Sequence, residues 1–155
     1  MINIYILKIK CYSNKEGEYK MATLKEIEGI GSAYAAKLNK AGVRGVNGLL
    51  QAGGTRKGRQ ELAKATGFNA KTILEWVNRA DLFRVKGIGS QYSDLLEAAG
   101  VDTTVELGKR KPETLLAQFE KANSGKKRLV RQLPSLSQVK LWVKHAKSLK
   151  RAVEY

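Results

Sequence analysis

Cysteine occurs once, at Cys11, and histidine once, at His145. A single thiol closes no intramolecular disulfide, and one His with one Cys builds no metal cluster, so no metal ligand is assigned. Such cysteine usage is compatible with a reducing compartment. Acidic residues are also few, 14 against 29 Lys and Arg. Asp81, Asp94 and Asp102 stand apart; Asp94 reads as a surface helix residue and Asp102 as a helix cap. Neither a Ser-His-acid nor a Cys-His arrangement emerges, and no single lysine stands out for Schiff-base chemistry. No catalytic residue is therefore named, and an enzyme is not expected. Apolar runs stay well short of the ~20 residues that span a bilayer. No amphipathic segment rich in Trp or Phe offers a surface anchor, so a membrane partner is not expected either. Alternating strand patterns are missing after Met21.

What is abundant is positive charge. The 155 residues carry a formal net charge of +15. Such an excess repels itself in a compact fold, which points to an anionic partner. Hydrophobic residues make up 43%, enough for a core, and the length suits one compact domain or two small ones. Residues 1–20 read as an N-terminal extension, either a poorly ordered tail or a lone strand. They lack the basic start and small-residue cleavage site of a signal peptide. Without them 25 basic and 12 acidic residues remain, so the charge does not depend on the extension. The expected location is the cytoplasm, and the nucleoid if the source is bacterial.

The remaining chain repeats itself. Ile27-Glu28-Gly29-Ile30-Gly31-Ser32-Ala33-Tyr34 returns 58 positions later as Val85-Lys86-Gly87-Ile88-Gly89-Ser90-Gln91-Tyr92. Ala41, Gly42-Val43 and Leu49 return as Ala99, Gly100-Val101 and Leu107. A looser echo joins Ile73-Leu74-Glu75-Trp76-Val77 to Val139-Lys140-Leu141-Trp142-Val143. Each unit thus starts with a glycine turn and ends in a Trp-bearing helix, which divides the chain into residues 21–84 and 85–155.

The coarse reading is helical throughout. Thr23 with Glu26 and Ser135 with Gln138 form capping boxes. Helices are expected over residues 32–41, 46–50, from Thr55 to Gly67, and from Asn69 past Ala80, with Gly42 and Gly67 as stops. In the second half they are expected over residues 90–99, after Pro112, and from Ser135 toward Arg151. Trp76, Trp142, Tyr34 and Tyr92 fall at core spacings and are expected to pack rather than to stack on bases. Residues 123–134 read as a basic, exposed linker.

An apolar residue, any residue, then Gly-Ile-Gly and a helix closed by glycine resembles the helix-hairpin-helix motif. The resemblance implies an all-α fold of two such repeats sharing a core, a SAM-like bundle. It also implies main-chain N–H groups facing nucleic-acid phosphate, with a monovalent cation possible at a hairpin and no other cofactor. Elementary physics agrees. Glycine tolerates φ > 0 and leaves no Cβ in a ligand's way. The next helix offers N–H groups without intrahelical acceptors, at the positive end of its dipole. Ile30 and Ile88 then anchor each turn inward, and Ser32 and Ser90 add hydroxyls. At a finer level the chain after Thr23 resembles the DUF4332 family, of unknown function. The stretches that carry this resemblance are Ile27-Glu28-Gly29-Ile30-Gly31, Thr55-Arg56-Lys57-Gly58-Arg59, Trp76-Val77-Asn78-Arg79-Ala80-Asp81-Leu82 and Leu133-Pro134-Ser135-Leu136-Ser137-Gln138-Val139. Gly-apolar-Gly also serves as a plain tight turn. Lys86 favours the second turn over the first, which has Glu28 there.

The candidate binding residues are Gly29, Ile30, Gly31, Ser32, Lys86, Gly87, Ile88, Gly89 and Ser90, together with a basic C-terminal surface. From residue 121 onward ten basic residues face one acid, Glu154. Lys126, Lys127, Arg128 and Arg131 form the densest run. Lys140, Lys144, Lys147 and Arg151 recur at helical spacing and are expected on one face of the last helix. Surface lysines are ordinarily just solvated, but the shortage of acids favours phosphate contact. Gly53-Gly54-Thr55-Arg56-Lys57-Gly58-Arg59-Gln60 approaches a phosphate-binding P-loop, yet Arg59 and Gln60 replace its Lys and Ser/Thr. The expected function is sequence-independent nucleic-acid binding, DNA over RNA. The rival is a protein-interaction or assembly module with an acidic partner or ribosomal RNA. Oligomeric state is left open.

Overall fold

Thr55, Asn69, Thr103 and Ser135 each have extended backbone and start a helix. Their side-chain oxygens accept from the N–H of Gly58 (3.0 Å), Lys71 (2.8 Å), Glu106 (3.3 Å) and Gln138 (3.2 Å). Such caps satisfy donors that the first helical turn leaves open. The computed structural model describes residues 22–155, together with the backbone of Tyr12–Ser13 (β1) and Tyr19–Lys20 (β2). These two short strands pair antiparallel, Tyr12 opposite Lys20. The rest of the expectation for residues 1–20 lies outside the described residues.

The other regular elements among the described residues are helices. A 3-10 turn at Leu24–Glu26 leads to α1 (Ser32–Lys40), α2 (Gly45–Gly53), α3 (Arg56–Thr66) and α4 (Ala70–Leu82). The series continues with α5 (Ser90–Ala98), α6 (Thr104–Lys109), α7 (Pro112–Asn123) and α8 (Leu136–Ser148). The sequence reading omits α6. Its cap is Thr103, not Asp102, whose own N–H donates to Glu106 Oε2. The last helix stops at Ser148, so Arg151 lies beyond it and does not continue the Lys140-Lys144-Lys147 row.

The repeat is a repeat of geometry. Ile30 N–H donates to Ile27 C=O and Ile88 N–H to Val85 C=O, both at 3.1 Å. Val43 N–H meets Leu38 C=O and Val101 N–H meets Leu96 C=O, both at 2.9 Å. Gly29 and Gly87 have φ of +90° and +91°, in the region L side chains avoid. A Cβ on either would lie 3.1 Å from the indole Nε1 of Trp76 or Trp142 respectively. Each Trp-bearing helix thus folds back under its own glycine turn. Gly29→Ala and Gly87→Ala are each expected to lose about 1–2 kcal/mol, because alanine must hold a left-handed backbone against an indole. Gly31 and Gly89 have ordinary extended backbone and open space where a Cβ would be. Alanine there is expected to shift the urea midpoint far less. Equal losses at all four positions would refute this reading of the turn.

The expectation of one shared core is corrected by the packing. Buried apolar residues form two clusters. One runs from Leu24 to Phe83 and takes in Val153; the other runs from Leu82 to Ala146. The reason is the local return of α4 and α8, which closes each core over its own turn. The two meet where Leu82 enters the second cluster and Phe83 the first. Asp81, read as an isolated carboxylate, is buried at this seam. It accepts from Thr104 N–H (2.8 Å) and Oγ1 (3.0 Å) and pairs with Arg84 (2.8 Å).

A C-terminal strap crosses back over the seam. Arg84 donates to Lys150 C=O at 2.9 Å, Val153 enters the first core, and Glu154 N–H meets Gly54 C=O at 2.8 Å. Arg59, 5% exposed, donates to the carbonyls of Gly53 (2.9 Å), Gly54 (3.1 Å) and Glu154 (2.5 Å). Burial lowers its pKa. The P-loop-like stretch therefore has a structural use. A Cβ on Gly58 would lie 2.1 Å from Ala52 C=O, and one on Gly54 2.6 Å from Ala152 C=O. Its glycines let protein backbone approach protein backbone.

Candidate nucleic-acid interface

The two Gly-Ile-Gly turns are built alike and face outward. Ile30 and Ile88 are 4% and 0% exposed, so they anchor the turns and present no side chain to a ligand. Full burial of such a side chain is worth about 1.5–3 kcal/mol. Gly29, Gly31, Ser32, Lys86 and Gly87 are exposed, while Gly89 and Ser90 are half-buried. Gly31 and Gly89 stand at the N-caps of α1 and α5 and bring no capping side chain. The first-turn N–H groups of these helices thus lack the partner that Thr55 or Ser135 provides elsewhere. An anion is favoured at such an end.

The surroundings differ between the turns. Arg79 on α4 donates to Glu28 C=O at 2.7 Å. It also pairs with Glu97 on α5 and lies 3.8 Å from Asp94. Asp94 is therefore a partner in the seam and not a plain surface residue. Burial raises its pKa and the Arg79 charge opposes that rise. Asp102 is raised by burial and, next, by Glu106. Glu75, Asn78, Arg79, Leu82, Glu97 and Asp102 line a pocket of about 190 Å³ at this seam. Its carboxylates make it a poor place for phosphate.

At the second turn, Lys86 N–H donates to His145 Nδ1 on α8 at 3.0 Å. That amide is engaged within the protein, which leaves the exposed Lys86 side chain and the α5 N-terminus as the donors facing outward. Arg79 and His145 occupy matching places, three residues after Trp76 and Trp142. One secures its turn as donor, the other as acceptor.

The basic linker is an insertion in the second unit. Three residues, 67–69, join α3 to α4, whereas twelve, 124–135, join α7 to α8. Asn123 pins the loop at its root. Its Oδ1 accepts from Leu129 N–H (2.8 Å) and Val130 N–H (3.1 Å), and its Nδ2 donates to Val130 C=O (3.1 Å). Val130 is buried, while Lys126, Lys127, Arg128 and Arg131 are exposed. Tyr92 on the first turn of α5 donates to Gln132 C=O at 3.3 Å. The far end of the loop is thereby tied beside the second turn, next to Arg131.

The expected stripe on α8 is only partly brought to that place. Lys140, Lys144 and Lys147 are exposed. Lys140 pairs with Glu113 of α7 at 3.8 Å, and Lys147 packs against Gly108 of α6. His145, which meets the turn, lies on the opposite flank of the helix. Arg151 borders a pocket with Asp81, Glu106 and Tyr155. The cationic groups therefore divide between a loop beside the second turn and the α6/α7 flank. Sequence reasoning missed Arg79, Asn123 and Arg59: Arg79 joins the Glu28 carbonyl to the Glu97 and Asp94 carboxylates, and Asn123 and Arg59 hold main-chain groups that only the folded loops bring to them. Tyr34, expected in the core, is 44% exposed.

Among the described residues no group of His, Cys, Asp and Glu has the arrangement of a metal site, and no helix is long and apolar enough to cross a membrane. No curated protein and no solved structure matches the chain. Residues 28–149 match the family described as Domain of unknown function (DUF4332), a span from the first glycine turn through α8. The chain belongs to the DUF4332 family.

Proposed function

We propose that this protein binds nucleic acid, DNA in preference to RNA, without reading sequence. In this reading the two Gly-Ile-Gly turns are helix-hairpin-helix elements. Each receives a backbone phosphate at the uncapped start of α1 or α5, and the basic loop holds the neighbouring polymer. The observation that carries it is the duplication itself: two turns with matching bonds, φ angles and Trp supports, both exposed at an uncapped helix start. A net charge of +15 supplies long-range attraction for a polyanion. The second turn is the stronger of the two, with Lys86 beside it where the first has Glu28. No base-reading element is invoked, since phosphate contacts position a protein without specifying sequence.

The test is titration of a fluorescent duplex across a salt series. Affinity is expected to fall steeply and linearly on log–log axes, with little change between unrelated sequences. A binding constant that ignores salt, or no binding at low salt, would overturn the proposal and favour an acidic protein partner.

A further inference from the structure

The two units differ at one aromatic position. Tyr34 and Tyr92 are repeat equivalents in the first turns of α1 and α5. The long linker of the second unit reaches Tyr92, takes its hydroxyl on Gln132 C=O and leaves it half-buried. The first unit has only residues 67–69 there, and Tyr34 remains 44% exposed. Its ring is nevertheless held. Phe68 meets it edge-on at 4.8 Å between centroids, and Trp76 lies at 5.9 Å. Lys37, one helical turn on, places Nζ 5.4 Å from the Phe68 centroid. An exposed ring braced by an aromatic pair that carries a cation has the composition of a base-stacking platform, and holding it still lowers the entropy lost on stacking. Helical side chains lean toward the helix N-terminus, so Tyr34 leans toward the Gly-Ile-Gly turn.

We propose that Tyr34, braced by Phe68 and Trp76, with the Lys37 ammonium at the neighbouring Phe68 ring, stacks an unpaired base of a single DNA strand that passes the first glycine turn. This rests on the nucleic-acid reading above and adds to it a preference for single-stranded or frayed DNA. A duplex keeps its bases stacked inside and has none to offer Tyr34.

The experiment uses the full chain with a single strand containing 2-aminopurine and a duplex of equal length. The wild type is expected to quench 2-aminopurine in the single strand. Tyr34→Leu is expected to abolish the quench and weaken single-strand binding about tenfold, with duplex affinity unchanged. Tyr34→Phe keeps the ring and is expected to keep the quench. A quench that survives in Tyr34→Leu refutes stacking, as does an equal loss of single-strand and duplex affinity. Duplex binding with no effect of Tyr34→Leu refutes this inference alone. Failure of the wild type to bind either polymer refutes the parent reading with it.

Discussion

Replacing Arg59 by leucine is expected to remove about 3–5 kcal/mol of folding stability, the largest single-residue loss among the described side chains considered above. The guanidinium is buried and donates to three main-chain carbonyls, those of Gly53, Gly54 and Glu154. Its removal takes this donor from all three; Gly54 C=O keeps Glu154 N–H, and each buried group left unbonded costs roughly 1–3 kcal/mol before the structure relaxes. Relaxation here means release of the strap, which also withdraws Val153 from the first core. Lysine at the same place keeps the charge but lacks the planar fork, so Arg59→Lys is expected to recover less than half of the loss. A urea titration reads both changes as a fall in midpoint at constant slope. The mechanism is checked by removing residues 150–155. In the shortened chain the Arg59→Leu cost is expected to shrink, because the two changes share one interaction. Additive losses, or a cost under about 1 kcal/mol for Arg59→Leu alone, would show that the clamp does not hold the strap.

The strap also ties the second unit to the first, since Val153 enters the first core and Glu154 N–H meets Gly54 C=O. The two apolar clusters adjoin at the Leu82-Phe83 step. The junction is polar: Arg79 links α4 to Glu97 of α5 and to Glu28 C=O, while Asp81 links α4 to α6. The strap adds a second, hydrogen-bonded path from α8 back to Gly54. With both paths present, the spacing of the two glycine turns is set by the fold, and a polymer bound at both would feel a fixed separation.

Much of this was legible in the sequence because local chemistry decided it. The caps at Thr55, Asn69 and Ser135, the stop at Gly67 and the repeated turns all depend on residues within a few positions of one another. Periodicity placed Trp76 and Trp142 in the interior, where they are 3% exposed. The same reasoning misplaced Tyr34. Its spacing matches Tyr92, but exposure depends on which loop lies above it, and the two loops differ by nine residues. Helix α6 was missed because it is six residues long and is held by tertiary bonds from Asp81 and by α8. The stripe through Lys140 and Lys147 was legible as a helical face, but the sequence carries no sign of which neighbours that face meets. Those neighbours turned out to be Glu113 and Gly108.

That division of the cationic surface leads to the largest functional effect. Changing Lys126, Lys127, Arg128 and Arg131 together to alanine is expected to weaken duplex binding by roughly 10²–10³-fold near 0.1 M salt and to lower the log–log salt slope by about 3 to 4. All four are exposed and sit on a loop whose fold depends on Asn123 and Val130 instead, so thermal stability is expected to stay within about 0.5 kcal/mol of wild type. The matched control is Lys140, Lys144 and Lys147 to alanine. These charges lie toward the α7 flank, and Lys140 already faces Glu113. Their loss is expected to reduce the slope by less than 1. Charge alone would make the two sets nearly equivalent, four against three. On the proposed reading, a bound strand lying over the second glycine turn would make them unequal, because only the loop is tied there through Tyr92 and Gln132. Equal effects per charge removed would mean that the polymer samples the whole cationic surface and that the glycine turns do not position it.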